Sequence, residues 1–152
     1  MIREATTKDL NRIVELKLNM FDESGLTYLL SKNAYHDILN KYKSLYHDKT
    51  AQHFVIEANN DIIACAGAFL KNDLPYCFFN QSTYGFVGDV YTLPDYRHRG
   101  HAHLLMNKVI DWFRIKNIST IRLIATPQGR SIYNELGFKP TDEMVLRLDG
   151  NA

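Results

Sequence analysis

Residues 84–125 hold the pattern that most restricts what this chain can fold into. Residues 84–92 are a β-rich run that Pro94 stops, residues 100–116 carry apolar side chains at helical spacing, and residues 118–125 return to a β-rich run. In the middle segment Ala102, Leu105, Met106, Val109, Trp112 and Phe113 make one stripe, while Asn107, Lys108, Asp111 and Arg114 fall on the opposite face. A strand, a helix and a strand in that order share a sheet only if the two strands run parallel, joined by a crossover. All-helical and purely antiparallel architectures are excluded by this unit alone.

The remaining segments extend the sheet. Residues 2–5 read as a short strand, and Thr6, Thr7 and Asp9 supply helix-start chemistry. Leu10, Ile13, Val14, Leu18 and Phe21 then recur at helical spacing until Ser24 and Gly25 interrupt them. A second helix is expected from about residue 29 to 46, with Tyr35, Ile38, Leu39, Tyr42 and Leu45 on one face. Residues 53–58 and 62–70 form a hairpin around Asn59-Asn60-Asp61, a turn that suits positive φ. Residues 71–82 carry Pro75 and read as a loop whose Tyr76, Cys77, Phe78 and Phe79 fold back over other apolar surface or line a pocket. Gly85 and Gly88 inside the next strand mark a bulge or a close approach by another backbone or a ligand. Residues 128–136 read as a short helix ended by Gly137, and residues 144–148 as a last strand. The order β-α-α-β-β-β-α-β-α-β implies a mixed α/β sheet with helices packed on it.

One core suffices for such a chain. The 152 residues, 45% hydrophobic and 23% charged, carry no repeat, low-complexity tract or linker, so residues 1–152 are read as a single domain. Eighteen basic and seventeen acidic residues leave a formal charge of +1, which offers no field for nucleic acid or an anionic membrane. There is no apolar run of about 18 residues to span a bilayer, and the first residues lack the apolar stretch of a secretory signal. Cys65 and Cys77 make neither a disulfide framework nor a zinc pattern. A cytoplasmic protein is the expectation.

The chemistry concentrates where the central strand turns into the central helix, along Val90, Tyr91, Thr92, Leu93, Pro94, Asp95, Tyr96, Arg97, His98, Arg99, Gly100, His101 and Ala102. The first amides of a helix have no acceptor within it, and the helix dipole leaves partial positive charge there. A phosphate or diphosphate answers both. Gly100 and Ala102 are small enough for the backbone to approach an anion, and Arg97 and Arg99 add full charge beside it. Neither a G-x-G-x-x-G nor a P-loop pattern is present. His98, His101 and His103 crowd together, but positions 101 and 103 lie about 200° apart on a helix, and no cysteine or carboxylate cluster completes a shell; no metal is expected. A solvated basic cap does not account for the small residues at 100 and 102, and a nucleic-acid site confined to one turn of a nearly neutral chain is disfavoured.

Arg97-x-x-Gly100-x-Ala102, placed between a strand and a helix, resembles the Gln/Arg-x-x-Gly-x-Gly/Ala signature of the GNAT N-acetyltransferase superfamily. The stretch from Ala125 through Gly129-Arg130-Ser131-Ile132-Tyr133 to Gly137-Phe138 is similar to a second block common in bacterial members, and the element order matches over most of the chain. The resemblance implies a GNAT-like fold with a mostly antiparallel sheet splayed at the donor strand. It also implies acetyl-CoA as co-substrate, its diphosphate on the amides of residues 97–102 (Arg97, His98, Arg99, Gly100, His101, Ala102) and its pantetheine arm along Val90, Tyr91 and Thr92. The activity implied is acetyl transfer to an amine of a small molecule or peptide by direct attack in a ternary complex; members often dimerise, so a homodimer is an open expectation. A non-catalytic acyl-CoA-binding or interaction module on the same fold is the alternative.

Collapse of the tetrahedral adduct expels a thiolate, and a positioned phenol can protonate it. The resemblance gives Tyr133 that role; packing of the last helix is the other reading of this residue. An acceptor ammonium, with a pKa of about 10, must lose a proton before attack. Asp89, on the strand leading into the donor site, is the named candidate base, with Asp22, Glu23 or a water relay as alternatives. Strand alternation sets Asp89 and Tyr91 on the face opposite Val90 and Thr92 unless a bulge resets the parity. Cys65 is read as a buried small hydrophobe.

Overall fold

The computed structural model describes residues 1–74 and 81–149. One sheet contains five strands in chain order: β1 (Ile2–Glu4), β2 (Ala51–Ala58), β3 (Asp61–Asn72), β4 (Thr83–Thr92) and β5 (Ile121–Leu123). Neighbours are antiparallel from β1 to β4, and β4 and β5 are parallel, as the crossover requires. Among the described residues four α-helices accompany the sheet: α1 (Leu10–Glu23), α2 (Ala34–His47), α3 (His101–Ile115) and α4 (Arg130–Glu135). Among the described residues no helix is long and apolar enough to cross a membrane.

The sheet is covered on both faces. Leu10, Ile13, Val14 and Leu16 of α1 and Leu39 and Tyr42 of α2 cluster with Val55, Cys65 and Tyr91 on one face. Leu105, Met106, Val109 and Phe113 of α3, all fully buried, cluster with Phe54, Ile63, Ala66 and Val87 on the other. Central β3 is therefore buried on both sides from Ile62 to Ala68, which explains why that stretch reads as a continuous apolar run rather than an alternating one. At the start of α1, Thr6 and Asp9 form a capping box: the Asp9 carboxylate accepts from the Thr6 amide at 2.7 Å, and the Thr6 hydroxyl accepts from the Lys8 amide at 3.3 Å. Asn59 and Asn60 both adopt positive φ, 52° and 61°, in the two-residue turn between β2 and β3.

Several expectations are corrected. The second helix begins at Ala34 rather than near residue 29, because Leu30 is extended and a separate 3-10 turn spans Thr27–Leu29. β5 is shorter than residues 118–125: Asn117 takes φ 60° and the Ile118 amide closes back on the Phe113 carbonyl at 3.0 Å, so the first residues of that run still belong to the end of α3. Residues 144–148 do not form a strand. Met144, Val145, Leu146 and Leu148 stand exposed, and an apolar run without a neighbouring edge makes no ladder. The hairpin strands run longer than expected, to Asn72 in β3, and the proposed fold-back of Tyr76, Cys77, Phe78 and Phe79 lies outside the described residues.

Candidate functional site

The strand that leads to the arginine-rich turn is irregular at one point. Cys65 of β3 faces Tyr91 and Gly67 faces Gly88, so Ala66 alone stands opposite Asp89 and Val90. This is a β-bulge, one residue beyond the Gly88 that sequence patterning singled out, and Asp89 occupies it with φ 58°. Before the bulge Val87 points to the α3 face; after it, Val90 packs on that face and Tyr91 on the face of α1 and α2. An unbroken strand would set residues 87, 89 and 91 on one face, so the bulge resets the parity and carries Asp89 and Tyr91 to the helices α1 and α2.

Beyond the bulge the sheet opens. β4 pairs with β5 only from Gly85 to Val87. The Leu93 amide donates to Ile63 at 2.9 Å, which by antiparallel alternation turns the main-chain groups of Tyr91 toward β3 and those of Val90 and Thr92 toward the flank that β5 has left. The Thr92 carbonyl on that flank accepts from Arg97 Nε at 2.8 Å.

The turn after β4 supplies the second part of the site. The Arg97 amide donates to the Pro94 carbonyl and the Leu104 amide to that of Gly100. Among the described residues, the amides of His98, Arg99, Gly100, His101, Ala102 and His103 between them have no acceptor, and no side chain caps α3. His98 and Gly100 both adopt left-handed backbone, φ 63° and 80°, and a Cβ on Gly100 meets nothing within 4 Å, so the turn is open as well as unsatisfied.

The charged side chains of this turn are distributed unequally. Arg97 bridges to Glu23 at 2.7 Å and lies 5.4 Å from the Tyr91 ring, while the Tyr91 hydroxyl donates to the other Glu23 oxygen at 2.5 Å. Hydrogen bonds from Tyr91 and Arg97 hold the Glu23 carboxyl below the ordinary carboxylate range, and burial together with Glu23 pushes the Tyr91 phenol up to about 12. Arg97 is thus committed to the end of α1, whereas Arg99 is exposed and donates to the Asp95 carbonyl at 3.1 Å. His103 pairs with Glu135 at 2.8 Å, and His101 is half-buried with a buried Nδ1 that has no partner. Among the described residues no three His, Cys, Asp or Glu side chains gather as a metal shell.

Asp89 itself is buried, 5% exposed, and its carboxylate accepts from three side chains. Lys17 of α1 donates to Oδ1 at 2.5 Å, and Tyr42 of α2 and His53 of β2 both bond to Oδ2, the latter at 2.8 Å. The Tyr46 hydroxyl accepts from the His53 amide at 2.8 Å and stands 3.0 Å from Nδ1, an arrangement a neutral His53 protonated on Nε2 satisfies completely. Burial alone would raise the Asp89 carboxyl; the His53 hydrogen bond and the Lys17 charge outweigh it and hold the group well below the ordinary range. The same burial, with Asp89 close by, raises the Cys65 thiol, which is inert as a nucleophile. Lys17, Tyr42 and His53 carried no motif in the sequence; a histidine beside the apolar run Phe54-Val55-Ile56 was the one available signal.

Tyr133 sits on α4, half-buried against Phe138 at 6.0 Å between ring centres, and burial raises its phenol. It packs against the same α3-side cluster as Val90 and borders an open hollow of about 250 Å³ between β5 and α4. Gly129 leaves it room: a Cβ there would lie 2.8 Å from the Tyr133 ring.

The bulge in β4, the flank opened beside it and the unsatisfied start of α3 are consecutive features of one strand–turn–helix unit. Residues 12–138 match the acetyltransferase (GNAT) family, and the chain belongs to that family. The amino-acid acetyltransferase of Ectopseudomonas mendocina (strain ymp) is 24% identical over 92% of this chain, although the chain spans only 28% of that relative's length. A predicted acetyltransferase from Clostridium acetobutylicum, solved with acetyl-CoA, has the same fold at TM-score 0.88 and 24% identity, covering 99% of this chain and 97% of its own. An aminoglycoside 6'-N-acetyltransferase from Acinetobacter haemolyticus aligns at TM-score 0.74 and 20% identity over 97% of this chain and 96% of its own.

Proposed function

We propose that the protein is an acetyl-CoA-dependent N-acetyltransferase. The observation that carries this reading is the run of acceptor-less amides from His98 to His103 at the start of α3, beside the opened flank of β4, in a chain of the GNAT family. The amides of Arg99, Gly100, His101 and Ala102 receive the diphosphate, and the exposed Arg99 guanidinium adds charge at its edge. The pantetheine arm lies along β4 as an added strand, paired with Val90 and Thr92 and with the side chain of Tyr91 turned to the opposite face.

Attack by the neutral amine on the thioester carbon forms a tetrahedral adduct; its collapse makes the amide bond and breaks the carbon–sulfur bond. Tyr133 gives its proton to the departing sulfur and is restored, through water, by the proton that the nitrogen sheds as the adduct collapses. Its phenol is kept neutral by burial, the form that can donate. Asp89 and Glu23 are carboxylates held low by their donors and so accept protons poorly; the ammonium proton leaves through water. The acceptor is a small-molecule amine, the kind named for the amino-acid and aminoglycoside acetyltransferases among its relatives.

The same commitment of both carboxylates favours a second reading, an acyl-CoA-binding module without turnover. Release of CoA thiol measured against a panel of amines separates the two. Amine-dependent thiol release supports the enzyme, and acetyl-CoA binding without release on any amine supports the module.

A further inference from the structure

The buried carboxylate of Asp89 stands apart from the chemistry proposed above, and its surroundings are unusual. It lies at the one irregular point of β4, it has the left-handed backbone that a residue other than glycine adopts reluctantly, and three separate elements hold it. Lys17 reaches it from α1, Tyr42 from α2 and His53 from β2. The Asp89 carbonyl is held as well, accepting from the Cys65 thiol of β3 at 3.2 Å. The Cys65 side chain belongs to the cluster on the α1 and α2 face, and because the peptide bond is trans the next amide, that of Val90, points away from it.

We infer that Asp89 is a positioning residue for the donor strand: its fixed carboxylate holds the left-handed turn at the bulge and thereby sets which main-chain groups of Val90 and Thr92 face the flank. This deepens the acetyltransferase reading and rests on it for the identity of the ligand. The physical reason is parity. If residue 89 relaxes to an extended conformation, Gly88, Asp89 and Val90 resume simple alternation, and every later residue of β4 exchanges faces and edges. The groups that pair with pantetheine would then turn toward β3. A buried carboxylate with three polar partners, Lys17, Tyr42 and His53, is a costly device for a merely structural contact, because its desolvation must be offset.

The test uses amide hydrogen exchange along β4 and calorimetric titration with acetyl-CoA, on the full chain and on Asp89→Ala and Asp89→Asn. Asparagine tolerates left-handed backbone and keeps hydrogen-bonding capacity; alanine does neither. In the unsubstituted chain the Tyr91 amide exchanges slowly and those of Val90 and Thr92 fast. Asp89→Asn keeps that alternation and binds acetyl-CoA within about threefold, whereas Asp89→Ala loses the alternation and binds at least about tenfold more weakly with its helix content intact. Where Asp89→Ala does not fold, Asp89→Gly takes its place, with free choice of φ but no carboxylate, and the same loss is expected. Alternation and affinity both retained in Asp89→Ala, or in Asp89→Gly where that variant takes its place, overturn the inference. An unsubstituted chain that shows the alternation and loses it in Asp89→Ala, yet gives no heat with acetyl-CoA, supports the positioning role and overturns the acetyltransferase reading instead.

Discussion

Substitution of Gly100 separates the cost of the turn from its use. The residue has φ 80°, where an L side chain costs about 1–2 kcal/mol, and its Cβ would meet nothing within 4 Å, so no steric term adds to that cost. For a chain of this size each kcal/mol moves Tm by about 2–4 °C, so Gly100→Ala and Gly100→Glu alike melt about 2–8 °C below the unsubstituted protein without ligand. Ligand separates them. Acetyl-CoA at 100 times its dissociation constant stabilises the folded state by about 2.7 kcal/mol. A carboxylate about 4 Å from one diphosphate charge opposes binding by about 1 kcal/mol in bulk water and about 4 kcal/mol at the effective dielectric of a protein surface. At the surface value a single such charge exceeds the ligand's contribution of about 2.7 kcal/mol. Thermal melts with and without acetyl-CoA are therefore expected to show a shift for Gly100→Ala, reduced from that of the unsubstituted protein, and none for Gly100→Glu. Equal shifts in the two variants would refute the placement of the diphosphate on these amides.

Tyr133→Phe removes the proposed proton donor and nothing that binds CoA, so kcat falls about 100-fold or more while KM for acetyl-CoA stays within about threefold; steady-state kinetics reads both, and parallel loss of both would mark Tyr133 as packing only. Gly129→Ala puts a Cβ 2.8 Å from the Tyr133 ring and displaces it, so kcat drops in the same way without a change in acetyl-CoA affinity. The Asp89 carboxyl is depressed in the folded state, so the stability it contributes is complete above its unfolded value of about 3.9 and is lost as pH falls below that value. Urea unfolding followed from pH 6 to pH 2 is expected to lose stability less steeply below about pH 4 in Asp89→Asn than in the unsubstituted chain; parallel curves would contradict the linkage.

What the sequence could show depended on whether a feature was local. The crossover from residue 84 to 125 and the hairpin at Asn59-Asn60 rest on periodicity and turn chemistry, both readable from neighbours in the chain, and both are found. The amides at the start of α3 were legible for the same reason, since Gly100 and Ala102 lie within the turn they open. The ionic links were not. Arg97 reaches Glu23 across 74 positions and Asp89 reaches Lys17 across 72, and no local pattern announces such pairs. Asp89 was therefore legible as an acid near the donor strand but not as a buried one with its valences filled. Residues 144–148 fail for the opposite reason: the local run is apolar enough for a strand, but a strand also needs an edge to pair with.

Contact between the free amides at the start of α3 and the donor nucleotide is what acetyl transfer by this chain requires first. Backbone amide shifts recorded by nuclear magnetic resonance while CoA is added test it most directly. The largest changes are predicted at Arg99, Gly100, His101 and Ala102, followed by Val90 and Thr92 on the opened flank. Saturable binding with those six amides unmoved, or no binding at all, would contradict it.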